Sequence, residues 1–356
     1  MPNRPKAIHA AVAIATALTL AALNTAAAQE RTSFRVAWSI YVGWMPWGYA
    51  ADAGIVDKWA DKYGIEIEVV QINDYIESIN QYTAGGFDGC VMTNMDALTI
   101  PAVGGVDSTA LIVGDFSNGN DGIVSKTATT VAELAGTPVN LVELSVSHYL
   151  LARALESAGL SERDLTVVNT SDADLVSVFT ASDEVASVVT WNPLLAEVAA
   201  LPGAIKLFDS SQIPGEIIDM MVVNSEVLAA NPDLGRALVG AWYETMALMT
   251  GDGPEAIAAR EAMAAASGTD LAGFDAQLAS TEMFYAPADA VEFVLSPALI
   301  TTMDSVRTFS DTHGLIGADL DYVGIAFPGG EALGDPANIK LRFDATFMQM
   351  AADGAL

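Results

Sequence analysis

The chain alternates short apolar runs with stretches of helical spacing. FRVAW (34–38) reads as a first strand running into WSIYVGWMPWGY (38–49), and residues 47–63 have helical spacing with Gly64 as a stop. IEIEVVQI (65–72) alternates and then turns apolar, as a strand passing into a core does. A helix over 74–84, a short buried strand FDGCVMT (87–93) and a helix opened by TNMDAL follow. GDFSNGNDG (114–122), dense in Gly, Asn, Asp and Ser, reads as a loop. A second series has a strand PVNLVEL (138–144), a helix SVSHYLLARALESAG capped by Gly159, and strands LTVVN (165–169) and VASVVT (185–190). The last strand ends at Trp191-Asn192-Pro193. SSQIPGEIIDMMVV (210–223) reads as a second crossing, and beyond Asn224 the spacing is helical to about residue 315, before a less regular tail.

Strand and helix in alternation predict an α/β fold with mostly parallel sheets and flanking helices. Two such series joined by two crossings predict a two-lobed clamshell: lobe 1 from 29–118 plus 216–356, with a helical C-terminal region, and lobe 2 from 119–215. Before them, Arg4 and Lys6, an apolar run over 7–23 and Ala26-Ala27-Ala28 form an export signal, residues 1–28, with cleavage expected near Ala28. No cysteine follows the run, so a lipoprotein anchor is not expected, and no later run reaches the roughly 20 apolar residues of a membrane span. The expected location is the periplasm. The single Cys90 excludes an internal disulfide.

Composition changes the picture through charge. The formal net charge is −30, and loss of Arg4 and Lys6 with the signal takes it to −32. That disfavours nucleic acid and anionic membrane as partners. Ligands of open parallel sheets bind just beyond the carboxyl ends of strands. This rule selects residues 39–49, 73–77, 93–96, 143–148, 191–192 and the second crossing near Asp219, and none of these segments contains Lys or Arg. They offer Asp74, Glu77, Asp96, Glu143 and Asp219 with Tyr41, Trp44 and Trp191. Carboxylates accept paired N–H bonds from a guanidinium or amidinium, and aromatic faces add roughly 0.5–2 kcal/mol to a desolvated cation. An anion would need basic side chains or helix N-termini. The helix beginning near Ser145 has such N–H groups, but Glu143 beside it repels an anion.

The expected contacts are Tyr41, Trp44 and Trp191 as walls, with Asp96 and Glu143, one from each lobe, pairing with the ligand. Asn94, Ser145 and Asn192 supply neutral hydrogen bonds, His148 lies nearby, and Asp219 is a third carboxylate. Three buried charges around one cation are costly, so two direct partners at most are expected. Several of these residues also have structural readings: Ser145 and Ser147 as caps, Asp96 and Glu143 as acids near helix starts, His148 as a hydrogen-bonded helix residue. Trp38, Trp47 and Tyr49 read as packing. There is no zinc-ligand spacing, no G-x-S-x-G elbow and no P-loop, so neither catalysis, metal nor cofactor is expected.

The segments GWMPWGYA, YGIEIEVVQINDYIESINQYTAGGFDGCVMTNMDAL, VNLVELSVSHYLLARALESAGL and VVTWNP, behind an export signal, resemble the nitrate/sulfonate/taurine class of ABC-transporter solute-binding proteins. The likeness covers residue 34 to about 235 well and the helical C-terminal third loosely. Within the class the chain is most similar to the subgroup associated with urea carboxylase-type enzymes, thought to bind urea or guanidine. The resemblance implies a two-lobed type II binding fold, a permease partner in the inner membrane, a monomer, and no enzymatic activity. Anion binders of the class commonly carry a Gly-Ser or Gly-Thr turn where this chain has Glu143-Leu144-Ser145. Guanidinium is therefore the expected ligand, urea the alternative, and nitrate, sulfonate or taurine a third. Thiamin-pyrimidine synthases of the same superfamily carry a cysteine-rich motif that this chain lacks.

Overall fold

The structure, a computed structural model, describes residues 31–182, 184–317 and 319–356. The export signal expected over 1–28 lies outside the described residues. Ser33–Leu356 form one compact unit containing two sheets. Among the described residues no helix is long and apolar enough to cross a membrane.

The first lobe is built on β1 (Ser33–Trp38), β2 (Glu66–Gln71), β3 (Gly89–Thr93) and β4 (Ser108–Ser117). The chain then leaves through Asn118-Gly119-Asn120 into β5 (Asp121–Ser125), β6 (Pro138–Leu141), β7 (Thr166–Asn169), β8 (Ser187–Trp191) and β9 (Ile205–Asp209). These five make the second sheet, in the order β7-β6-β8-β5-β9. The chain returns as β10 (Ile218–Asn224), which inserts antiparallel between β3 and β4. Parallel pairs join β1 to β2 and β3, and β6 to β7 and β8. The C-terminal tail adds β11 (Thr281–Met283), β12 (Gly324–Ala326), β13 (Ala332–Leu333) and β14 (Ile339–Phe343) to the first sheet. Flanking helices bury Trp47, Trp242, Leu238 and Met246 against it. The architecture is the mixed α/β, two-lobed periplasmic binding protein fold.

The two crossings are tied together. Ser117 Oγ lies 2.6 Å from Ser210 Oγ, which also accepts the Gly119 N–H at 2.8 Å. Gly119 has φ +112°, a conformation open to glycine, so the first crossing turns sharply there.

Local differences from the sequence reading have identifiable causes. The helix expected over 47–63 is two helices, Met45–Asp52 and Ile55–Tyr63, because Gly54 at φ +71° breaks it. The loop expected over 114–122 is mostly strand: β4 and β5 run into it from both sides, leaving three residues between them. Polar composition there reflects a cleft, not a surface loop. The strand expected to reach 144 ends at Leu141, because Leu144 takes φ +62°.

Candidate functional site

A small, tightly closed cavity lies between the ends of the two sheets. The first lobe lines it with Tyr41 and Trp44 from the loop after β1, Tyr75 from the helix after β2, and Thr93 at the end of β3. The second lobe contributes Asp121 at the start of β5, Trp191 at the end of β8 and Val146 at the start of a helix. Ile217 and Asp219 come from the returning chain. Tyr41, Trp44, Trp191, Asp121 and Asp219 are each at most 5% exposed, so the lobes are closed over the site.

The aromatic residues form a continuous wall. Tyr41 meets Trp44 edge-on at 4.9 Å, Trp44 meets Tyr75 at 5.6 Å, and Tyr75 meets Trp191 edge-on at 5.6 Å, so the wall crosses from one lobe to the other. Trp191 Nε1 donates to the Ile40 carbonyl and the Val42 N–H to the Asn192 carbonyl, which holds the closed arrangement.

Against this wall stands a set of buried acids. Sheet register places Asp219 of β10 directly between Thr93 of β3 and Asp115 of β4. Tyr41 Oη donates to Asp115 Oδ1 at 2.8 Å, while Asp115 Oδ2 and Asp219 Oδ2 are buried without a donor. Gly43 makes room for Asp115, since a Cβ there would lie 2.6 Å from Asp115 Oδ2. Asp96 accepts from Tyr75 Oη at 2.6 Å and Thr93 Oγ1 at 2.8 Å, and faces the Val146 N–H of the second lobe.

Burial pushes every one of these acids up. Asp121 rises to about 7, mainly by desolvation and secondarily through Asp96. Asp96 rises to about 6, with the Tyr75, Thr93 and Val146 donors holding it down against desolvation. Asp115 and Asp219 both rise, by desolvation first and then by repulsion from neighbouring acids, Asp121 among them. Among the described residues no Lys or Arg lines the cavity. The nearby basic groups are occupied elsewhere, as with Arg153 on Glu216 and Arg260 on Asp275. Four buried acids without a basic partner are unstable as anions.

These acids do not form a metal shell. The one group of His, Cys, Asp or Glu among the described residues whose ligand atoms lie within 4.8 Å of one another is His148, Glu162 and His313, away from the cavity. Of the four, Asp121 and Asp219 line the cavity, while Asp96 and Asp115 lie behind it, bonded to the lining residues Tyr75 and Tyr41.

The structure brings Tyr41, Trp44, Trp191 and Asp219 to the cavity and sets Asp96 behind Tyr75 and Thr93. It places the other expected contacts elsewhere. Glu143 is exposed, with its N–H on Asn169 Oδ1; it lies in an outer groove with Asp74, Glu77 and Asp172. Asn94 is a structural clamp, accepting from the Ile218 N–H and donating to the Glu216 carbonyl. Ser145 is a helix cap bonded to Ser147 N–H and the Val142 carbonyl. Asn192, followed by a cis proline, accepts from the Ala196 N–H and donates to Ser280. His148 points to Glu162.

Residues 59–256 match the family model described as NMT1/THI5 like. Solved structures share the fold at low identity. The alkanesulfonate-binding protein SsuA from Xanthomonas axonopodis pv. citri, bound to MOPS, is 17% identical with a TM-score of 0.66, covering 82% of this chain and 96% of that one. The periplasmic aliphatic sulphonate binding protein SsuA from Escherichia coli is 18% identical at 0.66, covering 82% and 95%. The periplasmic nitrate-binding protein NrtA from Synechocystis PCC 6803 is 13% identical at 0.57, covering 92% and 99%. No curated protein matches the chain.

Proposed function

The chain belongs to the NMT1/THI5-like family, and from that premise we propose that it is the periplasmic solute-binding component of an ABC importer whose ligand is guanidinium. The solved neighbours named as sulfonate- and nitrate-binding proteins support the receptor role through their fold. The observation that carries the ligand is the cluster of Asp96, Asp115, Asp121 and Asp219, buried beside an aromatic wall with no basic side chain lining the cavity. A sulfonate or nitrate entering that space would meet buried acids and no basic side chain.

Guanidinium suits the site on two counts. Its N–H groups supply donors to the lining carboxylates, among them the unpartnered Asp219 Oδ2. Its flat face stacks on Trp44, Tyr75 or Trp191. Asp121 from the second lobe and Asp219 from the first would be its two direct partners, so that binding closes the lobes. The closed receptor, a monomer, then docks on its permease.

Urea is the second reading, favoured by one observation: the buried Trp44 Nε1 has no acceptor and could donate to a urea oxygen. Thermal-shift measurements at pH 8 separate the readings. Stabilisation by guanidinium but not by urea, tetramethylammonium, nitrate or methanesulfonate supports the proposal; stabilisation by an anion alone overturns it. Ligand recovered unchanged after incubation distinguishes a receptor from an enzyme.

A further inference from the structure

Away from the cavity, two histidines and one glutamate converge where the C-terminal helix Pro297–Thr312 of the first lobe reaches the second lobe. His148 lies in the second-lobe helix Val146–Ser157, Glu162 in the turn Glu162–Asp164 that follows it, and His313 caps the C-terminal helix. Their ligand atoms all lie within 4.8 Å of one another. Donors around a tetrahedral zinc ion, with bonds of about 2.0–2.2 Å, stand roughly 3.5 Å apart, so the three side chains are within reach of one ion.

His313 is oriented as a ligand. Its Nδ1 donates to the Phe309 carbonyl at 2.8 Å, which leaves the Nε2 lone pair turned toward Glu162 Oε2 at 2.5 Å. An imidazole that gives one N–H to a backbone carbonyl and turns its other nitrogen inward is the common arrangement of metal-bound histidine. With a neutral ring, Nε2 and Oε2 are two acceptors facing each other, and a cation between them removes the repulsion. His148 is only 4% exposed, and its Nε2 and Glu162 Oε1 are buried against each other without forming a hydrogen bond. The Leu144 N–H donates to His148 Nδ1 at 3.0 Å, which keeps the ring proton on Nε2. An ion at Nε2 requires the other tautomer, with the proton on Nδ1, and so releases the Leu144 N–H into the exposed turn where it lies.

From these relationships we infer that His148, Glu162 and His313 form a binding site for a divalent transition-metal ion of the zinc type, which clamps the C-terminal helix of the first lobe to the second lobe. Two imidazoles and a carboxylate suit zinc, whereas calcium and magnesium take oxygen ligands. Three protein ligands leave a fourth position for water, and Glu162 and His313 border an outer groove by which water and the ion enter. Arg153, the basic side chain lining that groove, is engaged by Glu216 and Glu156, and Asp304 adds a further acid. Because the ligands come from both lobes, the ion favours the closed arrangement whatever the cavity holds. The two sites meet at one turn, since Leu144 lies two residues before the cavity-lining Val146.

The test is calorimetric titration of the chelator-treated, full-length mature protein with zinc chloride, in excess calcium to occupy surface carboxylates and with no cavity ligand present. The parent should bind one equivalent. Glu162→Gln and His313→Ala, both at half-buried positions, should each weaken that binding about a hundredfold or more. Melting temperatures of the metal-free variants close to the parent's would show that both still fold. Cobalt(II) in place of zinc should give the intense visible absorption of a four-coordinate site in the parent and lose it in His313→Ala. Dependence on both residues, one from each lobe, is what a bridging ion requires. Absence of stoichiometric zinc binding in the parent, or parental affinity in either variant, overturns the site.

Discussion

Asp219 and Asp115 lie opposite each other on the antiparallel strands β10 and β4, buried, with carboxyl oxygens facing and no donor between them. Like charges in that register are destabilising, and chain connectivity puts β10 there because it is the strand returning from the second lobe. The pair is tolerable only if it shares a proton or meets a cation. Asp219→Asn should therefore raise the melting temperature of the ligand-free protein by about 2–4 °C. The same change should weaken guanidinium binding on the order of a hundredfold, a combination that calorimetry and thermal scans would detect together.

pH should act in opposite directions on the empty and the loaded protein. Asp121 at about 7 and Asp96 at about 6 are raised above the ordinary aspartate value, as are Asp115 and Asp219. A raised carboxyl contributes stability that is fully present below its unfolded pKa, about 4, and is lost as pH rises through the folded value. The empty closed protein should thus lose stability between about pH 5 and 8. Guanidinium favours the ionised acids, so its affinity should rise over pH 6–8, about tenfold per unit for each proton released. Binding heats measured in buffers of different ionisation enthalpy would reveal that release.

The aromatic wall should contribute in proportion to its contact. Trp191→Ala removes the second-lobe face of the wall and should weaken binding about five- to thirtyfold, while Trp191→Phe recovers part of the loss. Equal affinity in the alanine variant would remove the wall from the site.

Gly43 is required for space. A methyl group there would lie 2.5 Å from Tyr41 Cε1 and 2.6 Å from Asp115 Oδ2. Gly43→Ala should cost about 1–3 kcal/mol of stability and displace the Tyr41–Asp115 bond, readable in denaturant titrations and in ligand affinity.

Glu143→Ala, by contrast, should leave affinity within about twofold, because an exposed carboxylate in the outer groove is screened by water. A large loss would return Glu143 to the binding machinery.

The alternation of elements carried the fold in the sequence, since periodicity reports burial and burial set both sheets. Tyr41, Trp44 and Trp191 were legible as cleft residues because they lie at or just after a strand end, and Asp219 because it opens the returning strand. Asp115 and Asp121 were hidden within GDFSNGNDG, where the Gly and Asn of a three-residue crossing made two strand ends look like one loop. The strand-end rule applied to the apolar run ALIVGDF would have reached Asp115. Tyr75 was overlooked as a helix residue, although its place at the first turn aims it at the cleft. Glu143 follows a strand end as well, yet lies exposed in the outer groove beside Leu144, whose φ is +62°.

The most direct measurement is isothermal titration of the mature protein at pH 8 with guanidinium, urea, nitrate and taurine in turn. Guanidinium should bind one to one with micromolar or tighter affinity and release protons, while the anions give no heat. Saturable binding of nitrate or taurine, with none of guanidinium, would contradict a cavity whose buried acids await a positive guest.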